Sequence, residues 1–222
     1  MGRARRPLDG RIQVVFRDRP SRSPIAFQTG LLPALGTTST IYRFQVELSD
    51  IDRGVYETLD LRVARHASED DERLVVRVLA RVLAHEEGME FGRGLSSPND
   101  AGLWAHDITG QVTTWIDIGL PAADRLHRAS KHCPRVLVFT HKPVDTLLKE
   151  WRSRKIHRSD KIEIHRLPAD FIGQVARSLE RRNSWYVTVH DHVLTVGSGD
   201  EIFEGHVDDT DLERFISTAE GT

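Results

Sequence analysis

A single cysteine, Cys133, in 222 residues excludes an internal disulfide framework and fits a reducing compartment, so a cytoplasmic setting is expected. No apolar run approaches the roughly 20 residues of a membrane-spanning helix. The first residues also lack the sustained apolar stretch of a secretory signal. Internal repeats and zinc-type Cys/His spacing are missing too. Cys133 precedes an apolar strand and reads as a small packing residue, because a nucleophilic role needs a partner base. What is present, 39% hydrophobic and 29% charged residues, is the composition of a soluble globular chain, one domain of ordinary size plus an appendage.

The net charge of −2 conceals an asymmetry. Residues 1–36 carry seven arginines against two acids, a net +5, which leaves −7 for the rest. They also hold four of the nine prolines and no periodic apolar pattern, so they are expected to form a disordered extension, with a nucleic-acid-binding arm as the alternative. An acidic body is not a strong general binder of phosphate backbones, whose affinity comes from lysine and arginine. A local basic groove remains compatible with it.

Along the chain, IYRFQVEL alternates as a half-buried strand, Asp50 to Gly54 turns, and Val55 to Arg65 returns as a second strand. A helix is expected over Glu69 to Glu87, with Ser68 as N-cap and Leu74, Val75, Val78, Leu79, Val82 and Leu83 as its apolar stripe. At 100° per residue Asp71 and Glu72 fall on that stripe at the first turn, where they either favour the helix dipole from solvent or reach an adjoining sheet. Gly88 to Asp100 reads as a loop.

The stretch Leu103 to Lys131 then reads as strand, turn at Thr109-Gly110, strand, and helix. A two-residue loop sets Trp104 opposite Trp115 and Gly102 opposite Asp117. Alternation places Trp115, Asp117 and Gly119 on one face and Ile116 and Ile118 on the other. A carboxylate in so apolar a strand is costly unless it is solvated, paired or metal-bound. Asp107, beside the turn, suits an Asx turn. The apolar strand Arg135 to Thr140 follows the helix as a parallel crossover. Further on come a helix over Val144 to Arg152, a basic loop with Lys155, His157 and Arg158, a strand over Lys161 to Leu167, a helix over Asp170 to Arg181, and a hairpin with His190-Asp191-His192 at its tip. That tip has metal-ligand composition, but three polar residues there read first as a turn.

The run TIYRFQVELSDIDRGVYETLDLRVARHASEDDERL, then FGRGL, D-x-T-G, WIDIG-x-P, Arg125-Leu126 and Arg128-Ala129 resembles the YaeQ proteins over roughly residues 38 to 210. The resemblance implies an α/β fold with a mixed central β-sheet flanked by helices, restriction-endonuclease-like, a variant of the PD-(D/E)XK nucleases, with added N-terminal and C-terminal β-hairpins. It implies one such domain over residues 37–215. It also implies magnesium-dependent phosphodiester cleavage, which requires converging carboxylates and a cation near the phosphate.

Set against that pattern, Asp117 keeps the strand acid and Glu72-Arg73 matches the family's helix pair. The lysine position is Gly119, for which Arg128 on the next helix stands in as a phosphate clamp, although arginine transfers protons poorly. The other acid position is Gly102, for which Asp100 is the nearest replacement. The expected metal ligands are therefore Glu72, Asp100 and Asp117, with Asp117 and Arg128 catalytic. Two functions follow: a divergent magnesium-dependent nuclease with a degenerate site, or an inactive nuclease-fold module that binds nucleic acid or a protein.

Overall fold

A computed structural model describes residues 39–93 and 100–218 of the chain. The extension expected over residues 1–36 and the tip of the loop before Asp100 lie outside the described residues. The first hairpin is β1 (Thr40–Asp50) and β2 (Val55–Arg65), paired without interruption. Helix α1 (Asp71–Leu83) follows, shorter than the expected span. Its cap is Asp70, not Ser68: the Asp70 carboxylate accepts the Arg73 amide at 2.7 Å, while the Ser68 hydroxyl is turned to His66 Nδ1 at 2.7 Å.

Next come β3 (Glu90–Phe91), β4 (Leu103–His106), β5 (Val112–Ile118), α2 (Ala123–His132), β6 (Arg135–Thr140) and α3 (Asp145–Ser153). A single 3-10 turn leads to β7 (Ile162–Arg166), followed by α4 (Ala169–Arg177), β8 (Arg182–His190) and β9 (Val193–Ser198). The chain continues through β10 (Glu201–His206), β11 (Asp208–Asp211) and α5 (Leu212–Thr218).

These strands form two mixed sheets, not one. The first runs β10-β9-β8-β1-β2 and the second β11-β7-β6-β5-β4-β3. The N-terminal and C-terminal hairpins expected as separate additions are joined to each other, because β1 pairs in parallel with β8. The two sheets and α1 share one core, in which Phe44, Leu79, Ile116 and Trp185 are buried together. Every residue of α1 from Leu74 to Val82 is buried, including Arg77 and Arg81. A helix buried all round needs more than an amphipathic stripe. The inward charge of Arg77 is met by Glu69 at 2.9 Å and the Ala64 carbonyl at 2.8 Å.

The far face of the second sheet carries a second core under α2, α3 and α5, with Leu126, Val138, Trp151 and Leu212. Strand β6 serves both, Leu137 and Phe139 in one core and Val136 and Val138 in the other. Alternation along one strand buried from Val136 to Thr140 thus divides the helices between its two faces.

Candidate functional site

The hairpin that places Asp117 reaches the expected pairing by a different route. Gly110, at φ +82°, donates its amide to the Asp107 carbonyl at 2.9 Å, and Asp107 donates to the Gln111 carbonyl at 2.9 Å, so the loop is three residues, Ile108 to Gly110. A bulge at Thr113 restores the count, because Ala105 pairs with Thr114 but His106 with Val112. Trp104 therefore still faces Trp115. The Asp107 carboxylate accepts from the Thr109 amide, the Thr109 hydroxyl and the Gln111 amide at 2.8, 2.6 and 3.0 Å, the Asx turn expected of it.

At the other end the expected geometry is lost. Leu103 pairs with Ile116, yet the Gly102 amide also donates to the Ile116 carbonyl at 2.8 Å, so Gly102 does not advance to face Asp117. A Cβ on Gly102 would stand 2.8 Å from Ile118 Cγ1, on the sheet face opposite Asp117.

Asp117 is 3% exposed and lies beside Val138 on the α2 side of the sheet. Both its carboxylate oxygens are held by Arg125 of α2: Nε donates to Oδ2 at 2.9 Å and Nη2 to Oδ1 at 2.6 Å. The same Nη2 donates to the Asp100 carbonyl at 2.6 Å, and the guanidinium lies 5.3 Å from the centre of the Trp115 ring. Bidentate pairing and aromatic stacking fit the planar arginine head. Arg73 of α1 reaches the same strand end, donating from Nη1 to the Ile118 carbonyl at 2.5 Å. Gly119 permits this approach, since a Cβ there would meet Arg73 Nη1 at 3.0 Å. Burial pushes the Arg73 guanidinium below its ordinary value, and the nearby Glu69 and Asp117 oppose that shift.

The other expected site residues lie apart from Asp117. Helix α1 covers the Ile116 and Ile118 face, so Glu72 and Asp117 belong to opposite sides of the sheet. Glu72 accepts from His141 Nε2 at 3.2 Å just beyond β6. Burial holds the His141 imidazole below its ordinary value, although Glu72 works against it. The Asp100 carboxylate pairs with Arg93 at 2.6 Å, and Arg128 is exposed on α2 one turn beyond Arg125. Magnesium needs several oxygen ligands converging on one point. The residues as placed do not fit it: both Asp117 oxygens are engaged by Arg125, Glu72 faces away, and among the described residues no group of three acids, histidines or cysteines is disposed to hold a metal. The His190-Asp191-His192 tip is a turn with Asp191 and His192 at φ 50° and 62°, their amides held by Asp52 at 2.9 and 3.1 Å.

The sequence reading missed a second polar cluster between the sheets, beside a cavity of about 260 Å³ floored by Leu137 and Phe139. His165 stacks on Phe139 at 4.4 Å, contacts Asp209 at 2.5 Å and lies 3.5 Å from Glu163, which Arg135 clamps from the neighbouring strand at 2.9 and 3.1 Å. Burial works against the protonated His165, but Asp209 and Glu163 outweigh it and raise its pKa. Burial would likewise raise Glu163, and contacts from His165 and Arg135 overcome this to hold it at about 2. Two charged residues at i and i+2 on β7 were the one sequence signal, and their partners come from β6 and β11.

Residues 35–207 match the family described as YaeQ protein. The Escherichia coli K12 YaeQ protein is 26% identical over 157 residues, covering 70% of this chain and 87% of its own. The Salmonella typhi YaeQ protein is 33% identical over 103 residues, 46% of this chain and 57% of its own. The solved YaeQ structure from Pseudomonas syringae superposes with a TM-score of 0.72 at 30% identity, covering 77% of this chain and 95% of that one. The one from Xanthomonas axonopodis pv. citri gives 0.74 at 28% identity, covering 78% and 99%. The chain belongs to the YaeQ family.

Proposed function

We propose that this protein is a restriction-endonuclease-like domain that binds nucleic acid without cleaving it. The order α1, β4–β5 hairpin, α2, β6 supports the fold reading, with an acid near the end of the second hairpin strand. The observation that carries the functional reading is the closed pair of Asp117 and Arg125. The guanidinium joins a carboxylate to a backbone carbonyl, Asp117 to Asp100, a task a hard divalent cation would otherwise perform with the same kinds of oxygen. A fixed organic cation in that place supplies the charge and leaves no position for an activated water.

Binding is assigned to the exposed side of α2 and the loop after α3. Asp124 pairs with Arg154 at 2.6 Å, and the His157 amide donates to His127 Nδ1 at 3.2 Å, which brings the loop against the helix. Arg128 and Lys131 on the helix and Lys155, Arg158 and Lys161 on the loop are all exposed. They form a local cationic surface on a body of net −7. Arg128 keeps here the phosphate-clamping role expected of it, without a catalytic step.

The test is fluorescence anisotropy with labelled single- and double-stranded oligonucleotides, together with a cleavage assay in magnesium. Binding should weaken with salt, and Arg128→Ala with Lys155→Ala should reduce the salt slope by about 2. The oligonucleotides should stay intact. Magnesium-dependent cleavage abolished by Asp117→Asn would sink the proposal, and so would a salt slope untouched by the double variant.

A further inference from the structure

We infer that β2 is a self-association edge, through which two copies of this chain join their five-stranded sheets about a twofold axis at Leu61. The inference does not depend on the proposed function. Among the described residues the edges of the two sheets are unequal. Strands β3 and β11 have two and four residues, and β10 has six with a glycine at Gly205. Strand β2 has eleven, with no proline, no glycine and no break in its register against β1. Proteins usually blunt such an edge with proline, a bulge or brevity, because its unpaired amides and carbonyls template another strand. On β2 those devices are missing, and the only guard is charge, Asp60 and Arg62, one of each sign.

The backbone groups face the right way. The Arg43 amide of β1 donates to Arg181, beside β8, so odd-numbered residues of β1 bond toward β8 and even-numbered ones toward β2. Tyr42 pairs with Val63 and Phe44 with Leu61, so the odd residues of β2 are satisfied by β1. The even ones, including Thr58, Asp60 and Arg62, point their amides and carbonyls outward. The Ala64 carbonyl is already taken by Arg77 at 2.8 Å, which marks one end of the available edge.

The side chains select one register. With the axis at Leu61, Asp60 of each copy faces Arg62 of the other, Leu59 faces Val63, and Glu57 faces Arg65. Within the free edge Asp60 and Arg62 thus meet the opposite sign, while Arg65, just past its end, already pairs with Asp71 of its own chain at 2.9 Å. Moving the axis to residue 60 sets Asp60 against Asp60, and moving it to residue 62 sets Arg62 against Arg62. Opposite charges directly across two strands attract and like charges repel. A half-step slip would place the buried Leu59 and Leu61 against the outer face of the partner. Asp60 and Arg62 are both exposed, and neither has an ion pair among the described residues. The occupant that fits this edge is therefore a second copy, by charge and by strand pairing.

Sedimentation velocity of the full chain across a concentration series tests this, with melting curves to confirm that each variant is folded. The wild type should show a concentration-dependent dimer. Asp60→Arg alone or Arg62→Asp alone sets like charges together at two symmetric places and should raise the dissociation constant by about tenfold or more. The double exchange, carrying both substitutions, restores opposite signs and should bring it back to within about threefold of wild type. A wild-type monomer at every concentration, or a dimer indifferent to the single reversals, would overturn the inference. So would folded single and double variants that dimerise equally weakly.

Discussion

At the scale of single residues, the fate of Asp117 turns on Arg125. The carboxylate is nearly buried and the Arg125 side chain 21% exposed. Removing the cation leaves an uncompensated charge in an apolar strand, the costly half of a buried pair. Arg125→Met should therefore destabilise by about 2 to 3 kcal/mol, somewhat below a fully enclosed pair because water reaches the arginine. Arg125→Met with Asp117→Leu should recover most of that loss, since two apolar side chains replace both charges. Denaturation midpoints in urea check both. A double variant as unstable as the single would mean that the pair is not the unit. The assignment of the stand-in cation to Arg128 from sequence differs from what α2 presents by one helical turn: Arg125 faces Asp117 and Arg128 faces solvent. Both lie on the polar side of the helix, and periodicity alone does not say which turn sits over the strand acid.

Among the elements, β7 and β11 are tied by an ionic contact that depends on proton supply. His165 of β7 stands opposite Asp209 of β11, and Glu163 of β7 is clamped by Arg135 of β6. His165 has a raised pKa, so its contribution is complete below its ordinary value of 6.5 and is lost as pH climbs through the raised value. Glu163 acts in the opposite sense: its contribution is present above its ordinary 4.5 and lost as pH falls through about 2. His141, with a lowered pKa, removes stability on the acid side of 6.5. The difference between wild type and His165→Gln isolates the first effect. The wild-type advantage in urea midpoint should be greatest near about pH 6 and shrink toward about pH 9. An advantage constant across that range would show that the tie is not ionic.

For the molecule as a whole, the shared strand β6 couples two cores. Leu126 of α2 is fully buried in the core that Val138 enters, while Phe139 enters the other. Loss of packing under α2 should therefore be felt as one event. Leu126→Ala should cost about 2 to 5 kcal/mol and lower the urea midpoint without splitting the transition, as fluorescence and circular dichroism recorded together would show. Two separated transitions would mean that α2 and its neighbours unfold independently. No helix among the described residues is long and apolar enough to cross a membrane.

Local rules in the sequence determined most of the elements. Alternation gave the first hairpin, turn chemistry gave the Asp107 cap, and apolar spacing gave α1. The Trp104 and Trp115 pairing was also legible, although a longer loop and a bulge at Thr113 cancel to produce it. Burial of Cys133, whose thiol burial pushes up, agrees with its reading as a packing residue. Tertiary structure alone decided that the terminal hairpins join through β1 and β8, because a parallel pair between strands some 140 residues apart leaves no local signature. It also decided the site. Which helix covers which face of β5 determines whether Glu72 or Arg125 meets Asp117, and that choice depends on the packing of two separate cores. Each carboxylate can be found in the sequence, but its partner is set by the face on which a distant helix comes to rest.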